Sequence, residues 1–315
     1  MSIRISILGI GSMGKNHLRV LSMLDGVTVN KIFDTNEAEL KLLSHRYSIS
    51  YTTNIDEALA DIDAVVIVTP TPTHHEYIKL CIGKVRNIFV EKPLAENYSQ
   101  ALEIQKLSDK HDLFIQCGFI ERFNPVVAEL KKIIKNSNII NIDFFRTNRL
   151  SNRVTDVDVV LDLMIHDIDL ALHLNGPVCK VVAFGSKENG LIAFASAIFQ
   201  HDNGSVSRLI ASRMTEKKMR SIQVTSSDAY IDADLLRRDL ILHQQSSISR
   251  DTEDAYVVSS STEQIEVKPR EALSEELQAF VSICNGNINC DVPGLAAGIE
   301  AQRVSNLVLE SIKNA

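Results

Sequence analysis

The sequence has few cysteines, no tryptophan and no long apolar run. Five cysteines, an odd number without a Cys-x-x-Cys pair, argue against a disulfide framework and against a zinc site. No run approaches the roughly 20 apolar residues that a membrane span needs, and the first residues read as a strand rather than a signal peptide. These absences predict reduced thiols and a cytoplasmic protein without a membrane partner.

Basic residues are outnumbered by acidic ones. The formal net charge of -7 argues against a nucleic acid partner, because polyanion binding depends on a basic surface. The sequence has no internal repeat and no low-complexity segment. Its 315 residues are enough for two domains, each with its own core.

The most informative stretch is residues 3–14, where a short apolar run reaches a Gly-x-Gly-x-x-Gly turn and a helical pattern follows. Gly9 allows a sharp turn, Gly11 leaves room for a pyrophosphate, and Gly14 lets the helix pack on the strand. The helix N-terminus offers N–H groups and partial positive charge to phosphates. The candidate cofactor contacts here are Gly9, Gly11, Ser12, Met13 and Gly14. A purely structural turn is the alternative.

A second apolar run, 27–33, ends at Asp34, twenty positions after the glycine turn. A carboxylate there can accept hydrogen bonds from the adenosine ribose hydroxyls. It would also repel the 2′-phosphate of NADP, and Thr35 and Asn36 carry no positive charge to offset this, so NAD is the predicted cofactor. Asp34-x-x-Glu37 also reads as a capping box for the next helix, and the two roles are compatible.

Strand-like and helical segments alternate through the first 120 residues. The strand-like runs after Asp34 are 49–51, 64–68, 87–90 and 113–117, and the helical patterns are 36–47, 56–60 and 98–110. This alternation predicts a doubly wound parallel sheet of the Rossmann type, an NAD-binding domain over residues 1–120. Such sheets bind ligands at the carboxyl ends of their strands.

The run 64–68 is followed by a loop that begins Thr69-Pro70 and reaches His74. Prolines make this loop extended, and Thr73-x-x-Glu76 can cap the next helix. Thr69 and Pro70 are therefore candidate cofactor contacts. His74 could contact the cofactor or be a structural residue in the first helical turn.

The run 87–90 delivers Glu91-Lys92-Pro93 to the same edge. A lysine is a useful catalytic group if its pKa falls toward neutrality, which burial beside an oxidised nicotinamide would favour. Lys92 is thus a candidate catalytic and cofactor-binding residue, with Glu91 beside it. The alternative is a solvated lysine at the start of a proline turn.

After residue 120 the pattern changes to recurrent short strands joined by polar turns. A helix near 126–135 precedes strand-like runs at 139–145, 178–184, 193–199, 206–211, 221–224, 229–231, 240–243 and 264–267. Helices near 271–284 and 295–312 close the chain. We expect a second domain over 121–315, an α+β unit with a large, mostly antiparallel open sheet that binds substrate.

One helix of this domain carries Asp162, His166 and Asp169 at i, i+4 and i+7. Two carboxylates beside an imidazole suggest an oriented general acid or base, although a histidine on a core helix is by default structural. A metal has no role in lysine-assisted hydride transfer, so we expect none here.

Two further groups are candidate substrate contacts. Arg122 and Asn124 lie on the segment that crosses between the predicted domains, where a salt bridge and a turn are the alternative. Three arginines without an acid lie within eight residues: Arg146, Arg149 and Arg153. They predict either a phosphate-binding patch or an exposed loop.

The glycine turn, the Thr69-Pro70…His74 loop, Glu91-Lys92-Pro93 and Asp162-x-x-x-His166 resemble, in order and spacing, the glucose-fructose oxidoreductase / inositol dehydrogenase family. The resemblance covers nearly the whole chain. It implies that Lys92 and His166 bracket a substrate hydroxyl from opposite walls of a cleft, and that Asp162 orients or charge-stabilises them. It also implies an often cis Lys-Pro bond and a homodimer or homotetramer built through the open sheet.

Within that family, segments 118–125, 153–156 and 162–167 most resemble the UDP-N-acetylglucosamine 3-dehydrogenases. The resemblance implies an NAD-dependent oxidoreductase that oxidises the 3-hydroxyl of UDP-N-acetylglucosamine, or of a related UDP-amino sugar, to a ketone. Two alternatives stay open: a dehydrogenase of a free sugar or cyclitol, and a non-catalytic NAD(H)-binding sensor.

Overall fold

Short runs of buried, mostly branched residues form a six-stranded parallel sheet in the first part of the chain. Its strands are β1 (Ile3–Leu8), β2 (Val27–Phe33), β3 (Ser50–Thr52), β4 (Ala64–Ile67), β5 (Asn87–Glu91) and β6 (Phe114–Gly118). They lie in the order β3-β2-β1-β4-β5-β6. The direction of the order reverses between β1 and β4, and this reversal opens a crevice at their carboxyl ends.

Helices connect these strands, and asparagines start several of them. The helices are α1 (Ser12–Leu21), α2 (Glu37–Tyr47), α3 (Ile55–Ala58), α4 (His74–Cys81) and α5 (Tyr98–His111). Asn36, Asn54 and Asn97 cap α2, α3 and α5, each accepting an N–H from the first helical turn. The parallel doubly wound sheet predicted from the alternating pattern is confirmed.

A second sheet follows a helix, α6 (Pro125–Ile134), which Asn124 caps. Its strands are β7 (Ile139–Thr147), β8 (Val178–Glu188), β9 (Leu191–His201), β10 (Val206–Ser212), β11 (Met219–Ser226), β12 (Ala229–Asp234), β13 (Asp239–Arg250) and β14 (Tyr256–Gln264). A π-helical turn (Val160–Met164) leads into α7 (Ile165–Asn175), between β7 and β8. The structure is a computed structural model that describes residues 2–149, 157–250, 256–287 and 290–315.

The eight strands lie in the order β14-β13-β12-β11-β7-β10-β9-β8. Every neighbouring pair is antiparallel except β7 and β10, so the predicted mostly antiparallel open sheet is confirmed. The last strand differs from the prediction of 264–267, because β14 ends at Gln264, where it pairs with Ile241 near the start of β13.

The last two helices, α8 (Ala272–Cys284) and α9 (Leu295–Lys313), change the expected division of the chain. One compact unit contains Met1–Phe123 and Glu271–Arg303, and the other contains Asn124–Arg270 and Val304–Ala315. The sequence-based division placed everything after residue 120 in one domain. Helix α8 belongs to the first unit because its Phe280 packs edge-to-face on Phe89 of β5, with ring centroids 5.7 Å apart.

Two findings bear on the cysteines and on membranes. Cys81 and Cys117 are buried, and none of the five cysteines, all within the described ranges, forms a disulfide. Burial raises the pKa of the Cys81 thiol to about 12, which keeps it protonated and unreactive. Within the described ranges, no helix combines the length and the apolar character that a membrane crossing requires.

A buried ion pair fixes α7 to the second sheet. Nε and Nη2 of Arg146 donate to the two carboxylate oxygens of Asp167 at 2.9 and 2.7 Å, and both side chains are at most 5% exposed. Arg146 was expected either in a phosphate-binding patch or on an exposed loop, and its burial contradicts both expectations. In a β-strand, every second side chain points to the same face. Arg146 therefore lies on the inner face of β7 with the buried side chains of Ile142 and Phe144.

Replacement of one partner tests the weight of this pair. Asp167→Asn is expected to lower the free energy of unfolding by about 3–5 kcal/mol, because Arg146 would remain as a buried charge without its carboxylate. The control is Lys132→Gln in the exposed Lys132–Glu129 pair of α6, where the change should stay within about 0.5 kcal/mol. Urea unfolding followed by circular dichroism measures both, and equal midpoints for the two variants would contradict the assignment.

Candidate active site

The three glycines after β1 differ in what a larger side chain would contact at each position. Gly9 has φ of +94°, and a Cβ there would lie 2.7 Å from the Val68 carbonyl oxygen. A Cβ on Gly14 would lie 2.1 Å from the Gly9 carbonyl oxygen, so only glycine allows α1 to approach β1 this closely. A Cβ on Gly11 would meet nothing within 4 Å. The space beside Gly11 is therefore open to a ligand rather than filled by the fold.

The N-terminus of α1 faces this space without a protein cap. Gly11 is the N-cap residue, and no side chain in the described part of the chain caps the helix, whose first turn also lacks an acidic residue. The N–H groups of the first turn have no intrahelical acceptor, and the helix dipole makes this end positive. Ser12 and Met13 are exposed here. The end of the helix can therefore bind an anion such as a pyrophosphate.

Asp34 lies at the end of β2 and is anchored by backbone N–H groups. Its Oδ2 accepts from the N–H of Ile10 at 2.7 Å, and its Oδ1 accepts from the N–H of Asn36 at 2.9 Å. The predicted capping box with Glu37 does not form, because Asn36 takes the cap position of α2. Oδ1 also accepts from the Thr35 hydroxyl at 3.5 Å, and Oδ2 keeps a second lone pair for a ribose hydroxyl.

These residues border a cavity of about 530 Å³ in the first unit. Its lining residues are Gly9, Gly11, Phe33, Asp34, Thr35, Val68, Thr69, Pro70, Thr73 and Tyr77. Phe33 and Tyr77 pack edge-to-face with ring centroids 5.8 Å apart. Burial, and then the charge of Asp34, raises the pKa of Tyr77. The cavity has the size of a ligand pocket and combines apolar rings with a carboxylate.

Sequence reasoning missed Phe33, Thr73 and Tyr77 in this cavity. Thr73 was expected to cap α4, but its hydroxyl instead donates to Thr69 Oγ1 or to the Pro70 carbonyl, both at 2.7 Å. Tyr77 lies four positions after Thr73, and residues at this spacing share one face of a helix. Since Thr73 follows the end of β4, this spacing could have indicated that Tyr77 also faces the edge of the sheet.

His74 lies behind the cavity wall rather than in it. It is 1% exposed, and its Nδ1 and Nε2 lie 2.9 Å from the carbonyl oxygens of Pro93 and Thr69. Burial lowers the pKa of His74, although the two carbonyls and the charge of Glu91 act in the opposite direction. The predicted alternative of a structural histidine fits this geometry better than a direct cofactor contact.

Glu91 is held inside the first unit by a histidine that sequence reasoning missed. Its Oε1 lies 2.8 Å from Nε2 of His17, which is buried on α1, and its Oε2 accepts from the N–H of Lys92 at 3.2 Å. Burial acts to raise the pKa of Glu91, but His17 and the charge of Lys92 outweigh it and lower the pKa. His17 follows Gly14 by three positions, a spacing that indicates the inner face of the helix.

Lys92 itself is half-buried at the carboxyl end of β5, and the Lys92–Pro93 peptide bond is cis. Nearby, Arg122 lies in a 3-10 turn (Ile120–Phe123), and its N–H donates to the Phe119 carbonyl at 3.0 Å. Asn124 caps α6 by accepting from the Val126 N–H at 3.1 Å. From the sequence, a turn was one alternative role for the segment of Arg122 and Asn124. The structure has such a turn at Ile120–Phe123, and the Asn124 side chain caps the helix that follows it.

In the second unit, Asp162 lies on the π-helical turn and is held by Arg213, which the sequence did not point to. Nη2 of Arg213 donates to Asp162 Oδ2 at 2.9 Å, and Nη1 donates to the Val157 carbonyl at 2.6 Å. Arg213 follows the end of β10 and is 14% exposed, against 27% for Asp162. One guanidinium thus fixes both the entry to the turn and the carboxylate on it.

His166 follows one residue into α7 and is half-buried. Asp162 lies on the π-helical turn and is half-buried, whereas Asp169, on α7, is 1% exposed inside the second unit. Of these two carboxylates, Asp162 is therefore the more accessible one.

The predicted arginine patch is only partly present. Arg146 is buried with Asp167, Arg149 is exposed and pairs with Glu216, and Arg153 lies outside the described residues. The loop that carries Glu216 continues into exposed Lys217 and Lys218, whose sequence was not singled out. Exposed cations therefore lie on two loops here, Arg149 on one and Lys217 and Lys218 on the other.

Family models match both halves of the chain. Residues 3–119 match an oxidoreductase family with an NAD-binding Rossmann fold, and residues 136–232 match the GFO/IDH/MocA C-terminal domain. The chain is 26% identical to the UDP-N-acetylglucosamine 3-dehydrogenase of Acidithiobacillus ferrooxidans, over 98% of this chain and 95% of the relative. It is 28% identical to the inositol 2-dehydrogenase of Acidothermus cellulolyticus, over 54% and 52%.

Solved structures share the fold at lower identity. The UDP-N-acetylglucosamine 3-dehydrogenase from A. ferrooxidans matches with a TM-score of 0.89 and 24% identity, over 100% of this chain and 99% of that one. The scyllo-inositol dehydrogenase from Lactobacillus casei with bound NAD(H) and scyllo-inositol matches with a TM-score of 0.79 and 19% identity, over 100% and 98%. With both of its halves matched by models of one family, this protein belongs to the Gfo/Idh/MocA oxidoreductases.

Proposed function

We propose that this protein is an NAD-dependent dehydrogenase that oxidises the 3-hydroxyl of UDP-N-acetylglucosamine, or of a related UDP-amino sugar, to a ketone. The observation that carries the proposal is the placement of Lys92 at the sheet edge that also forms the 530 Å³ cavity. The match to the A. ferrooxidans enzyme over nearly the full length of both chains supports the substrate.

The first unit fits the cofactor. The open space at Gly11 and the uncapped end of α1 would receive the pyrophosphate, and the cavity beside Phe33 and Tyr77 would receive the adenosine, with Asp34 on its ribose. When bound, NAD accepts the hydride that leaves the substrate carbon. An anionic Asp34 disfavours a 2′-phosphate at the same place.

Lys92 and His166 are the proposed proton-transfer groups, with one of them taking the proton of the substrate hydroxyl. Asp162, which accepts a hydrogen bond from Arg213, would orient or charge-stabilise this pair. The contact of Arg213 with the Val157 carbonyl keeps Asp162 in one position, which limits the loss of entropy on reaction.

A diphosphate on the substrate would bind the cationic loops of the second unit. Arg149, Lys217 and Lys218 are exposed there, in a chain whose net charge is -7. Arg149 would exchange its surface partner Glu216 for a phosphate, and exposed ion pairs are weak enough to allow it. Arg122 and Arg153 remain proposed substrate contacts from the sequence.

A free cyclitol is the second candidate substrate, because the inositol 2-dehydrogenase of A. cellulolyticus is also a relative. Its alignment covers about half of each chain, whereas that of the UDP-sugar enzyme covers nearly all. The residues Lys92, Asp162 and His166 are present as the family pattern requires, so a non-catalytic sensor is the less favoured proposal.

The outer face of the second sheet is the proposed contact between copies of the chain. Val182 and Phe184 of β8, Ile198 of β9 and Tyr230 of β12 are exposed there, with fractions between 38% and 62%. Soluble monomers rarely leave such an apolar group uncovered. A homodimer or homotetramer through this face would cover it.

Cofactor preference tests the role of Asp34. The wild-type protein should bind NAD more tightly than NADP, and Asp34→Ala should weaken NAD binding and narrow that difference. The chain has no tryptophan, so NADH and NADPH emission gives a clean binding signal. Asp109→Ala, on an exposed position of α5, is the control and should behave as wild type. Equal wild-type affinity for the two cofactors would remove the assigned role.

Turnover tests the proton-transfer groups. Lys92→Met and His166→Asn should each lower kcat by about 10²–10⁴-fold while cofactor affinity stays nearly unchanged, and Asp162→Asn should lower it less. Lys106→Met and His45→Asn are the matched controls, since both residues are exposed on helices of the first unit. A Lys92→Met variant that kept more than about a tenth of wild-type turnover would rule out proton transfer by this lysine.

A substrate panel tests the substrate class. UDP-N-acetylglucosamine should reduce NAD more efficiently than N-acetylglucosamine, glucose or myo-inositol, with a carbonyl trap present to draw an unfavourable equilibrium forward. Lys217→Ala combined with Lys218→Ala should raise KM for the UDP-sugar several-fold, whereas Lys135→Ala, also exposed in the second unit, should not. Equal efficiency with myo-inositol would favour the cyclitol function instead.

A further inference from the structure

His74 contacts two loops at once. Its ring, at the first position of α4, is 1% exposed, with Nδ1 2.9 Å from the carbonyl oxygen of Pro93 and Nε2 2.9 Å from that of Thr69. Pro93 belongs to the loop after β5, and Thr69 to the loop after β4. Because β4 and β5 are parallel neighbours, both loops leave the same edge of the sheet.

The two loops have different proposed tasks. Thr69 lines the 530 Å³ cavity, so the position of its backbone shapes the wall beside the cofactor. Pro93 directly follows Lys92, and the residue before, Glu91, is fixed by His17. The backbone of the lysine turn is thus held on one side by His17 and on the other by His74.

The chemistry of imidazole gives each ring nitrogen a separate role. A carbonyl oxygen can only accept a hydrogen bond, and a neutral imidazole donates from one nitrogen only. In His74, Nδ1 faces the Pro93 carbonyl and Nε2 faces the Thr69 carbonyl, each at 2.9 Å, so each nitrogen serves one loop. The contact at Nδ1 and the contact at Nε2 are therefore separable by substitution.

We propose that His74 is a two-ended positioning residue, whose Nδ1 end aligns the Lys92–Pro93 turn for turnover and whose Nε2 end fixes the Thr69 wall for cofactor binding. The part that concerns turnover rests on the proposed function, in which Lys92 transfers a proton. The part that concerns cofactor binding does not depend on the substrate.

Two conservative variants separate the ends. In His74→Asn the amide nitrogen occupies the place of Nδ1 and can donate to Pro93, and in His74→Gln it occupies the place of Nε2 and can donate to Thr69. We expect His74→Asn to keep kcat near wild type and raise the Kd for NADH about five- to 50-fold, and His74→Gln to keep that Kd and lower kcat by a similar factor.

His75 supplies the matched control. It is the next residue of α4, it is also buried, and its ring faces Glu76 and Glu103 instead of the two loops. His75→Asn and His75→Gln should leave both kcat and the Kd for NADH unchanged. NADH emission measures binding without any substrate, and steady-state turnover uses the best substrate of the panel.

The outcomes are distinct. Equal losses in both parameters for the two His74 variants, together with equally lowered melting temperatures, would make His74 a purely structural residue and overturn the proposal. Wild-type values in both variants, or the reverse division of effects, would also overturn it. Lys92→Met, measured in parallel, tests the proposed function separately. If that variant kept its turnover, the proposed function would be wrong, but the two His74 variants would still differ in their Kd for NADH.

Discussion

The close approach of α1 to β1 is the constraint on which the candidate active site of the first unit depends. A single added carbon at Gly14 would lie 2.1 Å from the Gly9 carbonyl oxygen, so the two elements are as near as backbone atoms allow. The same approach brings the ring of His17 to 2.8 Å from Glu91. Glu91 in turn accepts from the N–H of Lys92, and the glycine turn and the lysine turn are therefore parts of one packed assembly.

Charged groups are stabilised in this protein by partners that neutralise them inside the fold. Glu91 remains ionised despite burial, since His17 and Lys92 lower its pKa. In the second unit, Arg213 forms an ion pair with Asp162, and Arg146 forms one with Asp167. His166 thus lies in sequence between Asp162 and Asp167, and each of these two carboxylates is held by an arginine. Anchoring of this kind keeps reactive side chains in one position before a substrate arrives.

The sequence was sufficient for the fold class and for the positions of the glycine turn, Asp34 and Lys92, but not for the aromatic residues of the cavity. Glycines with defined spacing, a carboxylate at the end of β2 and a lysine at the end of β5 are local features, and the rule that parallel strands bind ligands at their carboxyl ends relates them. The place of α8 in the first unit could not be predicted, because an apolar helical pattern does not indicate which core the helix joins, and here Phe280 packs on Phe89 of β5.

The sequence also did not indicate which residues pair with the charged side chains. Arg146 read as surface charge because its neighbours in sequence are basic, yet its position on the inner face of β7 pairs it with Asp167. Arg213 and His17 lie 51 and 74 residues from their partners, so no local pattern links them. Periodicity indicates which face a side chain occupies, but the group opposite that face depends on tertiary structure.

In the proposed reaction, hydride leaves carbon 3 of a UDP-amino sugar while the protein accepts the hydroxyl proton. Incubation with NAD and UDP-N-acetylglucosamine deuterated at carbon 3, with a carbonyl trap present, tests this most directly. Mass spectrometry of the reduced cofactor should find the deuterium on its nicotinamide ring. Reduced cofactor without deuterium, or deuterium retained entirely in the sugar product, would contradict the account.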